Sequence, residues 1–325
     1  MKKNLIALAV LAASTASFAQ VSVTGSLIAG YRDSSAPAPT GNASGFGVDT
    51  AEITFNAKED LGGGMKASAS LGLVDQSRGN TFGAGDTVLS LEGAFGKVSV
   101  STVRSVDYLT GGLAAVGGTG FDDKLFNSRE INDSVSYSAP LGPVGLNLSY
   151  AEPTTLLGLG QGTSGAAANT TQRNAAIGLT YANAALAADV GYAMYDQADV
   201  ISSSIKSDVR GAVSYDLGAA KLGGGVVQRN YKTGNRTDAV LAVGVPMGAL
   251  TLGANVGQRN VSGTDDLVAK TTAYEANGTR NGYGLKASYA LSKRTAFSVD
   301  YNNWASAVGV ASNSTQTNVL LSHSF

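Results

Sequence analysis

Asn318-Val319-Leu320-Leu321-Ser322-His323-Ser324-Phe325 closes the chain. Counting back from Phe325, His323, Leu321 and Val319 share one face of a strand, and Ser324, Ser322 and Leu320 share the other. A terminal strand with one apolar face, ending on an aromatic residue, is expected at the seam of a β-barrel closed in a lipid bilayer. There the outer face meets hydrocarbon and the aromatic side chain sits at the rim. A soluble sheet would turn the same face toward a core, so the rest of the chain has to decide.

The other end favours the membrane. Lys2 and Lys3 precede an apolar run from Leu5 to Ala13, and Ser17-Phe18-Ala19 places small residues before Gln20. This pattern predicts a secretory signal peptide over residues 1–19, with an apolar run too short to span a bilayer, and a single mature unit over 20–325. Cysteine is absent, so neither a disulfide framework nor a thiolate metal site is available. A membrane helix needs about 20 consecutive apolar residues, and no such run follows residue 19. Any crossing must therefore use strands. Glycine is abundant (42) and proline scarce (6), which suits many strands with tight turns. Without Lys2 and Lys3 the chain carries 21 basic against 24 acidic residues, no basis for nucleic-acid binding.

Period-two alternation recurs along the chain: Val135-Ser136-Tyr137, Val144 to Tyr150, Ile177 to Tyr181, Val209 to Tyr215 and Phe297 to Asn302. Each puts apolar residues on one face and small or polar ones on the other, the signature of half-buried strands. Short turns are expected at Glu59 to Gly63, Glu92 to Phe95, Pro140 to Gly142, Asn183-Ala184, Leu217 to Ala219, Pro246 to Gly248 and Leu291 to Lys293. Longer connections lie between them: Asp33 to Phe46, Asp75 to Ala84, Ser105 to Asn132, Glu152 to Thr171, Gln197 to Ile205, Lys232 to Arg236, Val261 to Arg280 and Ala305 to Ser314. Strict alternation of short and long connections predicts an all-β transmembrane antiparallel barrel of about sixteen strands, with short periplasmic turns and long extracellular loops.

Glu59-Asp60-Leu61-Gly62-Gly63-Gly64-Met65-Lys66-Ala67 now identifies a resemblance, supported by Gly93 to Val98, Asp133 to Tyr137 and the closing Ser322-His323-Ser324-Phe325. Across the mature chain the sequence resembles the sixteen-stranded, usually trimeric general porins of Gram-negative outer membranes, especially the beta-proteobacterial type. The resemblance implies passive diffusion of small hydrophilic solutes and ions through a water-filled channel, with the third loop folded into the lumen. It also implies a homotrimer, contact with outer-membrane lipid and lipopolysaccharide, and barrel-assembly machinery that reads the Phe325 strand.

That third loop would run from Ser105 to Asn132 and carries Asp107, Asp122, Asp123, Lys124, Arg129 and Glu130 beside Gly117-Gly118-Thr119-Gly120. Strand phase nominates Glu52, Asp189, Arg210, Lys286 and Asp300 as wall residues facing the lumen. A Lys or Arg on the lipid face near mid-bilayer would cost about 2–4 kcal/mol. Opposed charges across a narrow aqueous neck would orient dipolar solutes and screen ions by sign; keeping the wall wetted is the simpler role for any one of them. Relatives often carry Arg where Glu52 stands and Gly-Arg-Gln where this chain reads Ser101-Thr102-Val103-Arg104. Alternation puts Arg104 on the face of Val98 and Val100, so joining the lumen requires a bulge or the strand's end to re-aim it. Ion preference therefore does not carry over from the resemblance.

Catalysis finds little support. The single histidine, His323, falls on the apolar face of the closing strand, away from any polar site. Gly160-Gln161-Gly162-Thr163-Ser164-Gly165 fits a dinucleotide motif in letters but lacks the flanking strand and helix. Asp265-Asp266 reads as solvated surface charge rather than a cation site. No cofactor is expected. Two alternatives to a general diffusion channel remain at this point. One is a substrate-selective porin whose Tyr108, Phe121 and Phe126 make a sliding surface, packing against the wall being the plainer role for these rings; the other is a structural or adhesive barrel with a plugged lumen. Small residues on the apolar phase of the early strands (Gly25, Ala29, Ala51, Ala57, Ala67, Ala69) suit close contact between subunits.

Overall fold

The computed structural model describes residues 20–35, 42–74, 83–104, 131–153, 173–196, 205–263, 277–305 and 313–325. Between 105 and 130 it describes 108–109, 112–114, 116–119, 121 and 124–126. The first eight strands are β1 Gln20–Ser35, β2 Ala43–Gly62, β3 Met65–Val74, β4 Gly83–Gly93, β5 Gly96–Arg104, β6 Ile131–Leu141, β7 Val144–Pro153 and β8 Asn174–Ala182. The remainder are β9 Leu186–Tyr195, β10 Ile205–Asp216, β11 Lys221–Tyr231, β12 Asn235–Met247, β13 Leu250–Ser262, β14 Gly278–Ala290, β15 Thr295–Trp304 and β16 Ser314–Ser324. Each pairs antiparallel with its sequence neighbours and β1 pairs with β16, so the sheet closes and leaves no edge.

All seven expected short turns fall where two strands meet at one end of the cylinder. Several are closed by a side chain at the turn's entry. Asp60 Oδ1 accepts from Gly62 N at 2.9 Å, Asp216 Oδ1 from Gly218 N at 2.8 Å, and Asn183 Oδ1 from Leu186 N at 2.8 Å. Such Asx turns favour a following residue that tolerates positive φ; Gly62 (φ 79°) and Gly218 (φ 81°) supply it. The first long connection is shorter than the sequence implies. Pairing continues through Asp33↔Ser44 and Ser34↔Ala43, and the Tyr31 and Phe46 rings pack edge to face at 5.2 Å.

Burial is inverted relative to a water-soluble sheet. Leu241 (65 % exposed), Val190 (56 %) and Leu285 (52 %) face outward, whereas Arg259 (0 %) and Arg280 (1 %) are enclosed. In water the outward set would be a large apolar liability; in a bilayer it is the lipid-facing band.

The seam is made by the residues that opened the sequence argument. Gly25 N donates to Phe325 O at 3.0 Å and Phe325 N donates to Gly25 O at 3.1 Å. His323 and Phe325 stack with ring centroids 6.5 Å apart. The Phe325 ring lies directly over Gly25, where a Cβ would overlap the ring and reach within 2.6 Å of the Glu52 carbonyl oxygen. Gly25→Val is therefore expected to lower the yield of heat-resistant barrel on refolding, read by gel mobility. Phe325→Ala should do so less, because Phe325 is 45 % exposed and truncation costs less than the about 3–5 kcal/mol of a buried phenylalanine. Wild-type yields from Gly25→Val would contradict this account of the closure.

Candidate functional site on the inner wall

The connection between β5 and β6 enters the cylinder. Leu109, Ala114, Phe121, Leu125 and Phe126 are buried against Ala212, Val240 and Trp304 of the wall, forming a small apolar core inside a polar tube. The approach is so close that the wall must lack side chains beneath it. A Cβ on Gly253 would overlap the Gly117 carbonyl, and one on Gly284 would overlap the Thr119 hydroxyl. Gly223 and Gly244 stand in the same relation to the carbonyls of Ala114 and Val116. Glycine inside a strand often marks such an approach by another backbone.

Polar clamps hold the loop in this seat. Asn255 Oδ1 accepts from Thr119 N and Oγ1, both at 3.1 Å, and its Nδ2 donates to Thr119 O at 2.8 Å. The Tyr108 hydroxyl donates to Asp189 Oδ1, and the Arg210 guanidinium lies 4.7 Å from the Tyr108 ring centroid. Burial first, then the hydrogen bond to Asp189, push the Tyr108 pKa well above its ordinary value of 10. The phenol thus stays protonated and remains a donor to the carboxylate throughout the physiological range. Farther along, the Phe126 ring lies under Arg259 at 5.6 Å and meets Phe121 edge to face at 6.0 Å.

Charge on the wall is concentrated on the strands that carry the loop. Arg229 grips Asp208 through Nε–Oδ1 at 2.8 Å and Nη2–Oδ2 at 2.7 Å, and Tyr195 donates to the same carboxylate at 2.9 Å. Arg259 grips Asp238 in the same forked way at 2.6 and 2.7 Å, with Arg236 Nε 3.2 Å from Asp238 Oδ2. Past β14 a second chain of contacts runs to β2. Asn318 donates to Asp300 at 2.8 Å, Arg32 donates to Asn318 at 2.8 Å, and Arg32 meets Asp49 at 2.6 Å.

The opposite half is lined differently. Ser68, Ser90, Ser99, Ser136 and Ser149 follow one another across β3 to β7 in register. Ser90 bonds Ser99 at 3.0 Å, and in the neighbouring row Ser101 bonds Ser134 at 2.8 Å. This row offers hydroxyls to water, and the charges on its phase, Lys66, Glu92 and Lys97, lie in the next row toward the short turns.

A loop seated inside a closed, polar-lined, lipid-faced cylinder is an arrangement found in channels. The family described as Gram-negative porin matches residues 6–304. The chain belongs to the Gram-negative porin family. Among curated relatives, outer membrane porin protein 32 of Delftia acidovorans is 30 % identical over 263 residues, 71 % of each chain. Major outer membrane protein P.IB of Neisseria meningitidis serogroup B is 35 % identical over 127 residues, 35 % of this chain and 37 % of that one. Among solved structures, an anion-selective porin from Comamonas acidovorans superposes with a TM-score of 0.69 at 20 % identity, covering 95 % of this chain and all of that one. The trimer form of OmpT from Vibrio cholerae gives 0.65 at 11 % identity, covering 94 % of this chain and 99 % of that one. This porin is thus an outer-membrane protein, a channel for passive diffusion built as a sixteen-stranded barrel.

Of the residues that sequence nominated in this porin, Asp189 and Arg210 come together around Tyr108. Lys286 and Asp300 stand directly opposite each other on β14 and β15. Glu52 lies on β2 opposite Ser26 and Val74, on the phase opposite to the outward Phe55. Lys124 follows Phe121 in the seated loop, its N–H bonded to the Phe121 carbonyl at 3.0 Å. Asp107, Asp122, Asp123, Arg129 and Glu130 lie outside the described residues. Arg104 is not re-aimed by a bulge: β5–β6 pairing runs without a register shift to Arg104↔Ile131, on the phase of the outward Val100 and Ile131. A sliding surface does not form from Phe121 and Phe126, which are 0 % and 7 % exposed and packed against the wall.

Sequence reasoning passed over Arg32, Asp49, Asp208, Arg229, Arg236, Asp238, Arg259 and Arg280. Strand phase alone would have found Arg229 and Arg259. Arg236 and Arg280 fall at the ends of expected connections, Lys232 to Arg236 and Val261 to Arg280, and lie instead in β12 and β14. Asp49 turns toward Arg32 beside a bulge at Ile28/Ala29, which alternation cannot foresee.

Proposed function

We propose that solutes cross through the water between the seated third loop and the hydroxyl-lined wall of β3 to β7, with the loop as the size filter. The observation that carries this is the close approach of the Gly117 carbonyl to Gly253, where a Cβ would overlap it, which seats the described part of the loop against the β13 side of the tube. Fixed charges along β9 to β16 then bias which solutes pass. Residues 1–19 serve as a cleaved export signal, and the mature porin spans 20–325. Three copies assemble through the outer face of the early strands, where Ala57 and Ala69 stand opposite each other; the trimer form of the Vibrio cholerae OmpT structure supports this. The molecule acts as a channel rather than an enzyme, since His323, the single histidine, is exposed at the seam and bonded to Thr295. Outer-leaflet lipopolysaccharide is its surrounding lipid, and the Phe325 strand is the element presented to the assembly machinery.

Liposome swelling with uncharged sugars of increasing size tests this reading. Rapid swelling with monosaccharides that falls off for larger oligosaccharides is expected. Equal exclusion of every sugar by vesicles holding folded barrels would contradict it and favour a plugged barrel.

A further inference from the structure

Arg210 differs from the other arginines of its wall. Arg229 and Arg259 commit their guanidiniums to Asp208 and Asp238 as forked pairs. Arg210 is exposed on the inner face of β10 and makes neither a hydrogen bond nor an ion pair with any described residue. Its position is nevertheless fixed. The Tyr108 ring supports the guanidinium at 4.7 Å, and Tyr108 is itself tied to Asp189. On the β9 side Gly191 stands directly opposite Arg210 and leaves a slot for its stem: a Cβ there would come within 2.8 Å of Nε and 3.2 Å of Cγ.

A guanidinium held on an aromatic face keeps its N–H fork free for a planar oxyanion, and holding it in advance reduces the ordering cost of each contact. Resting on the diffusion-channel reading, we propose that Arg210 is a contact residue for solutes bearing a carboxylate or phosphate group as they pass the edge of the third loop. Asp189 beside it offsets much of the charge at longer range. The preference is therefore one of short-range, two-pronged recognition, stronger for such oxyanions than for chloride.

Single-channel recordings in potassium chloride, with sodium succinate or sodium phosphate added in increasing amounts, test the assignment. Chloride current through the wild-type channel should fall with succinate, phosphate or both, in a saturable manner; the pair of titrations shows which oxyanion is preferred. Arg210→Gln should abolish the effect. Arg210→Lys, which keeps the charge and loses the fork, should weaken it by roughly tenfold. Tyr108→Leu, which removes the support while leaving Arg210 in place, should also weaken it. Identical oxyanion titrations in wild type and Arg210→Gln, or the absence of saturation in wild type, would overturn the inference and leave the channel standing. Folded protein without any chloride current would overturn both.

Discussion

Replacing Gly253 by valine will enlarge the channel. The new Cβ would occupy the space of the Gly117 carbonyl, a backbone atom that has no rotamer by which to escape. Either the wall or the loop has to move. The wall at this point is β13, paired along its length to β12 and β14. The loop's polar hold here is the set of three hydrogen bonds between Thr119 and Asn255, each worth a net of about 0.5–1.5 kcal/mol. Overpacking of this kind costs about 1–3 kcal/mol and more where backbone meets backbone, so the loop yields first. Gly253→Val barrels should remain heat-resistant, conduct several-fold more than wild type and admit larger sugars. Gly178→Ala is the control: its Cβ would meet nothing closer than 3.7 Å, and the channel should behave as wild type. Unchanged conductance from folded Gly253→Val would mean that the loop does not rest on this wall.

Asp238→Ala will produce the largest loss of stability. Asp238 is 4 % exposed and faces Arg259 and Arg236, which are 0 % and 5 % exposed. Its removal leaves two enclosed guanidiniums without their shared carboxylate, and breaking a buried pair from one side costs about 3–5 kcal/mol. The measurement is the urea midpoint of barrel unfolding. Asp238→Leu combined with Arg259→Met should recover part of the loss, because removing both partners avoids a stranded charge. Asp49→Asn provides the contrast. The Arg32–Asp49 pair is 48 % and 34 % exposed on its side chains, and a solvated pair of this kind contributes only about 0–1 kcal/mol.

Much of the barrel was legible because two simple rules act along most of it. Alternation marked the strands, and side-chain-capped turns such as Asp216 to Gly218 marked where they reverse. Membrane strands obey the first rule strictly, since a single step of slip would turn a polar face to lipid. Legibility failed where the fold is not local. Arg236 and Arg280 looked like loop residues because the β11–β12 connection is only a few residues long and β14 begins earlier than its apolar pattern. The glycines at 223, 244, 253 and 284 went unread in the sequence, although their common inward phase is a sign of a backbone pressed against them. For Phe121 and Phe126 the sequence left two roles open, a surface for solutes and the plainer one of packing against the wall, and the structure shows the second. Their burial follows from the loop carrying its own apolar core, which only the seated arrangement supplies with a partner.

The most direct test of the account is planar-bilayer recording of the refolded 20–325 chain in a potassium chloride gradient. Stepwise, ohmic currents are predicted, increased by Gly253→Val and unaltered by Gly178→Ala. Barrels that are heat-resistant on gels and yet carry no current would contradict the account at its centre.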